Sequence, residues 1–180
     1  MNTIKYKVYD FFGENYPDED WNGRLARTKF NELMKIKEDR INELVCLLED
    51  NDVHLDFSLS SLQKLNDFIC SELDKYKPKL NKEDPNCCRY AETPYFRSLA
   101  IDCALYLGEL LIRISPKSIK WDVYKTNSKL DDSRFYPAID KWAITNYIYI
   151  YIIQYLGGYD NDKTLFAYLY NDLLKEIENE

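Results

Sequence analysis

Apolar residues recur at three- and four-residue steps from the first quarter of the chain onward. Phe30, Leu33, Met34, Ile41, Leu44, Val45 and Leu48 form one stripe, with Lys35, Lys37, Glu38, Asp39 and Glu43 on the other face. This spacing predicts an amphipathic helix over residues 24–49. Val53, Leu55, Phe57 and Leu59 then alternate, which reads as an extended segment. Ser60 followed by Gln63 has the form of a capping box and opens a second helix over 61–76, with Leu62, Leu65, Phe68, Ile69 and Leu73 inward. The third helix is the best marked: Thr93 suits the N-cap, Pro94 the first turn, and Pro116 the end. A fourth helix is expected from about Pro137 to the pair Gly157-Gly158, a left-handed C-cap. Residues 147–152 alternate Tyr and Ile and have strand propensity, but a run of about twenty residues without a breaker favours a helix. A last helix is expected over 164–178.

Two short alternating runs complete the pattern. Ile119, Trp121 and Val123 read as a strand, and Ile4, Tyr6 and Val8 as its partner. The cluster Asp18, Glu19 and Asp20 fits the approach to a helix N-terminus. The expected fold is therefore all-α: a single domain over residues 1–180, a bundle of four to five main helices with room for a small two-stranded β annex.

Composition adds limits rather than a function. A chain of 180 residues with 46% hydrophobic and 31% charged residues can close one core without staples. Its net charge of −7, spread over both halves, argues against a nucleic-acid backbone as partner and is compatible with a basic one. Sixteen tyrosines predict rings at the core boundary whose hydroxyls must find partners. The five cysteines, at 46, 70, 87, 88 and 103, are odd in number, and the N-terminus lacks a basic-then-apolar run. Together these features predict free thiols and a cytoplasmic location. The hydrophobic run 142–156 is too short for a membrane span and reads as a buried helix.

Catalytic patterns are sparse. His54 is the lone histidine, set between Val53 and Leu55, where exposure is expected. Cys87 and Cys88 are adjacent, without the two to four intervening residues of a zinc knuckle. Glycine-rich phosphate loops and nucleophile elbows do not occur, so no cofactor or metal is expected. One constellation stands out on the third helix: Asp102, Tyr106, Glu109 and Arg113 recur at helical steps. Two carboxylates there suit acid–base chemistry or a cation, while the simpler reading is an i,i+4 Glu109–Arg113 ion pair on a half-exposed face. Gly108, costly inside a helix, implies a close neighbour, with Trp121 and Tyr106 the candidates.

Residues 99–111, reading LAIDCALYLGELL, followed by Trp121 and Pro137, resemble small uncharacterised bacterial helical proteins. Some of those are immunity proteins encoded beside secreted toxins. That resemblance implies a cytosolic binding protein and carries over no functional residues. The leading expectation is a non-enzymatic protein-binding domain, an immunity-type inhibitor among the options. Its partner surface is placed at Trp121, Tyr124, Asp131 and Asp132, an acidic patch beside aromatic anchors. A small-ligand or enzymatic pocket near Asp102, Tyr106, Glu109 and Arg113 is the alternative. A structural homo-oligomer subunit is the second.

Overall fold

The computed structural model describes residues 6–11, 22–75, 93–127, 135–156 and 164–179. Six helices hold 68% of these residues, joined by one two-stranded antiparallel sheet, so the fold is all-α with a small β annex.

The long helix expected over 24–49 is two helices, α1 (Gly23–Lys35) and α2 (Lys37–Glu49). Ile36 leaves helical geometry at φ −107°, and its N–H donates to the Leu33 carbonyl, three residues back. Glu38 and Asp39 then favour a fresh N-terminus. The break lets the two halves meet different surfaces. Ala26 and Phe30 of α1 close a small cluster with Val123, while Ile41, Leu44 and Leu48 of α2 enter the main core.

Residues 53–58 form no strand, and α3 (Leu59–Asp74) starts two residues earlier than the capping box implies. Ser58, not Ser60, is the N-cap: its side chain accepts from the Ser61 N–H at 3.2 Å. His54 is exposed, as expected. Helix α4 (Pro94–Ile114) matches its expected limits, with Thr93 capping and Pro94 in the first turn. Every residue from 98 to 108 is buried, which makes α4 the central helix instead of a half-exposed one.

Trp121–Val123 is β1, but its partner is β2 (Pro137–Ile139), in the register Trp121↔Ile139 and Val123↔Pro137. Tyr6 to Val8 form no strand; Ile4 lies outside the described residues. Pro137 thus belongs to a strand, not to a helix start. The chain turns through Asp140, at φ 48°, and α5 (Ile144–Leu156) begins seven residues later than expected. The β2 side explains the delay: the Thr145 hydroxyl donates to the Pro137 carbonyl at 2.9 Å, tying the first turn of α5 to the hairpin. Residues 147–152 are helical. The acidic cluster at 18–20 and the Gly157-Gly158 pair lie outside the described residues.

Helix α6 (Leu165–Asn179) buries Phe166, Tyr170, Leu173 and Ile177 and packs mainly on α3. The Trp142 indole donates to Glu176 at 2.5 Å and fastens the hairpin end of α5 to α6. Among the described residues, no helix is long and apolar enough to cross a membrane. Cys46, Cys70 and Cys103 are free thiols, while Cys87 and Cys88 lie outside those residues.

Candidate functional site

A charged residue on an otherwise apolar stripe must find a partner or leave the core. Arg40 sits on the core-facing side of α2 and is 5% exposed. Asp102 faces it from α4 and is 0% exposed. The guanidinium meets the carboxylate as a two-pronged fork, with Nε donating to Oδ1 at 3.0 Å and Nη2 to Oδ2 at 2.5 Å. Such bidentate pairs are strong and geometrically exact in what they accept.

Residues 6–11 lie across this pair. The Tyr6 phenol donates to Asp102 and shares a hydrogen bond with the Ser98 hydroxyl at 2.8 Å. Arg40 Nη1 donates to the Lys7 carbonyl at 2.6 Å, and Nη2 also reaches Ser98 at 3.0 Å. The Tyr9 N–H donates to Ser98 at 2.9 Å. The Tyr6 and Tyr9 rings lie 5.4 and 5.6 Å from the guanidinium carbon, where their faces attract the cation.

Burial raises the Asp102 carboxyl to about 6, although Arg40 and the Tyr6 phenol both pull it down. Burial also works against the Arg40 charge, but the hydrogen bonds and charge of Asp102 outweigh it and raise its pKa. The pair is therefore ionised at neutral pH. Burial, and then the Asp102 charge, push the Tyr6 phenol far above its usual range, so it stays a donor.

The other three residues of the sequence constellation go elsewhere. Tyr106 is fully buried; its hydroxyl accepts from the Phe57 N–H at 2.7 Å and bonds the Ser61 hydroxyl at 2.7 Å, clamping the entry to α3. Phe57 stacks on the Tyr106 ring with centroids 4.5 Å apart. Arg113 covers the Phe57 ring, its guanidinium carbon 3.6 Å from the centroid. Glu109 accepts from Lys37 Nζ at 2.5 Å and from the Trp121 indole at 2.8 Å. The expected Glu109–Arg113 ion pair does not form: Glu109 is drawn to Lys37 and Trp121, and Arg113 to an aromatic face. The four residues thus make three separate contacts and do not converge on one pocket. An open groove of about 530 Å³ beside the Arg40 cluster is lined by Lys7, Val8, Tyr9, Ile36, Asp39, Arg40, Asn42 and Glu43, and by none of those four.

Trp121 explains Gly108. A Cβ there would sit 2.2 Å from Trp121 Cζ2, so the indole needs the missing side chain. The ring is half-buried on α4 and held by Glu109, which makes it largely a structural anchor. Tyr124 continues the hairpin, its N–H donating to the Tyr136 carbonyl at 2.8 Å. Between them, Asp122 meets Arg27 at 2.6 Å and Lys125 at 3.0 Å. Burial pulls the Asp122 carboxyl up, but the Val123 N–H, Lys125 and Arg27 together bring it down to about 2. Asp131 and Asp132 lie outside the described residues. Among those residues, no group of three or more His, Cys, Asp or Glu side chains could hold a metal ion.

Sequence reasoning missed Arg40, Ser98 and Tyr6. A signal existed for Arg40: it falls on the helix face between Leu33 and Leu44, where an apolar residue is due. Its partner Asp102, 62 residues away, stood out on its own helix, but nothing local linked the two. Compared with known proteins, the chain matches no family model, no curated protein and no solved structure.

Proposed function

We propose that the chain is a non-enzymatic protein-binding domain for a basic partner, acting as an immunity-type inhibitor of a toxin. The observation that carries this reading is the closure of the α4 seam. Asp102, Tyr106 and Glu109, the groups a reactive pocket would use, are engaged in contacts that hold α2, α3 and the hairpin to α4. Chemistry left for function then belongs to the surface, and that surface is acidic, with a net charge of −7. Such a surface steers a cationic partner, and aromatic side chains supply affinity.

The hairpin end is the proposed contact region. Trp121 and Tyr124 are half-buried there beside Asp122, and the connection between β1 and β2 carries Asp131 and Asp132. Trp121 contributes by fixing the hairpin on α4, and the acids by attraction. The test expresses the product of the gene adjacent to this one, with and without this chain. Rescue of growth together with a salt-sensitive complex supports the reading, and a charge reversal of Asp131 and Asp132 should weaken that complex. Absence of both rescue and complex refutes the inhibitor role. A complex that ignores the charge reversal refutes the hairpin end.

A further inference from the structure

We infer that the seam between α2 and α4 is a recognition cleft for an extended segment bearing a phenol. The chain's own residues 6–11 fill it in the monomer, and the same segment of a second copy can fill it in trans. This segment has no helix or strand of its own. Its contacts are ones a free peptide can make. The Lys7 carbonyl accepts from Arg40, the Tyr9 N–H donates to Ser98, and the Lys7 N–H donates to Glu43 at 3.2 Å. Its side chains differ in depth: the Tyr6 hydroxyl enters the Asp102–Ser98 pocket, Lys7 and Val8 are exposed, and Phe11 is 1% exposed at the far end. Asp10 adds an ion pair to Arg97 at 2.9 Å. Main-chain hydrogen bonds plus pockets for selected side chains are how extended peptides are recognised.

Cleft and segment are unequal partners. The Arg40–Asp102 fork joins α2 to α4 without the segment, and Ser98 stands one helical turn from Asp102 on the same face. The cleft therefore has a shape of its own, whereas the segment has no helix or strand to hold it. Ten residues, 12–21, join Phe11 to the α1 cap at Asn22. Such a stretch spans up to about 35 Å when extended, enough to reach a neighbouring copy. Exchange between copies preserves each of these contacts and is a low-cost route to a dimer.

The full-length Tyr6→Phe chain, whose own segment lacks only the phenol oxygen, is the host for the test. A dye-labelled peptide with the sequence of residues 4–12 should bind it saturably by fluorescence anisotropy. The same peptide carrying Tyr6→Phe should bind about tenfold more weakly, the loss expected for one hydrogen bond to a charged group. In the wild-type chain, excess peptide should speed hydrogen exchange at the Lys7 and Tyr9 amides, a measurement that does not depend on the variant folding. Light scattering should find a dimer that grows with wild-type concentration and weakens in Tyr6→Phe. Peptide binding without any dimer overturns the second copy as occupant. No saturable binding and unchanged exchange at Lys7 and Tyr9 overturn the cleft itself.

Discussion

Helix α4 solves the problem of burial in opposite ways on its two sides. Towards α2 and the N-terminal segment it presents Ser98, Asp102 and Glu109, tied to Arg40, Lys37, Tyr6 and Trp121. Half a turn round, at 3.6 residues per turn, it presents Ala100, Ala104, Leu107 and Leu111, all buried and all apolar. An apolar side stabilises in proportion to the area it removes from water, at about 25 cal/mol per Å², and accepts many arrangements. A guanidinium–carboxylate fork has one satisfactory alignment. The polar side therefore sets the register of α2 and of residues 6–11 on α4, and the apolar side supplies the bulk of the stability.

Single truncations should be costly on both sides. Asp102→Ala strands the buried Arg40 charge and is expected to cost about 3–5 kcal/mol. Leu107→Ala leaves a cavity and should cost about 2–5 kcal/mol. Urea denaturation, monitored by circular dichroism, measures both. An effect below about 1 kcal/mol for Asp102→Ala would mean that solvent reaches the seam. Gly108→Val drives a side chain into the Trp121 ring and should cost about 1–3 kcal/mol, with a change in indole fluorescence. Wild-type stability and an unaltered spectrum would show that Trp121 does not rest on α4.

Two aspartates, Asp102 on the polar side of α4 and Asp122 in β1, should titrate in opposite senses. Asp102 has a native pKa raised to about 6, so its protonated form favours the fold. Its contribution is fully present below about pH 4 and is lost as pH rises through about 6. Asp122 has a native pKa lowered to about 2, so its contribution is present above about pH 4 and is lost as pH falls towards 2. Urea midpoints from pH 2.5 to 7 should show Asp122→Asn flattening only the acid limb. Replacing Arg40 and Asp102 together should flatten only the pH 4–6 limb. If both variants kept the wild-type profile, the burial assigned to Asp102 and the partners assigned to Asp122 would be wrong. The smallest effect belongs to Arg27→Ala, which removes a partly exposed ion pair to Asp122 and should cost below about 1 kcal/mol.

Legibility in the sequence followed locality. The limits of α4 were readable because Thr93, Pro94 and Pro116 each act on their own backbone. Gly108 announced a close neighbour because a mid-helix glycine is a local cost, and Trp121 was among the two candidates. The break at Ile36 was not readable: α1 turns towards Val123 and α2 towards the main core, a choice set by distant packing. Pro137 was read as a helix start although it pairs with Val123, since strand pairing at that distance leaves no periodic trace. Asp102 was singled out correctly as unusual, but its partner was not named. The residue that completes it, Arg40, differs from its neighbours only by being charged where a core residue belongs.

The central claim is that the Arg40–Asp102 pair is a closed structural clasp that fixes register. A double-mutant cycle with Arg40→Met, Asp102→Leu and the combined variant tests it most directly, read by urea denaturation at pH 7. The clasp predicts that each single change costs about 3–5 kcal/mol while the double variant stays within about 1 kcal/mol of wild type. Additive losses, with the double variant as damaged as both singles combined, would contradict it.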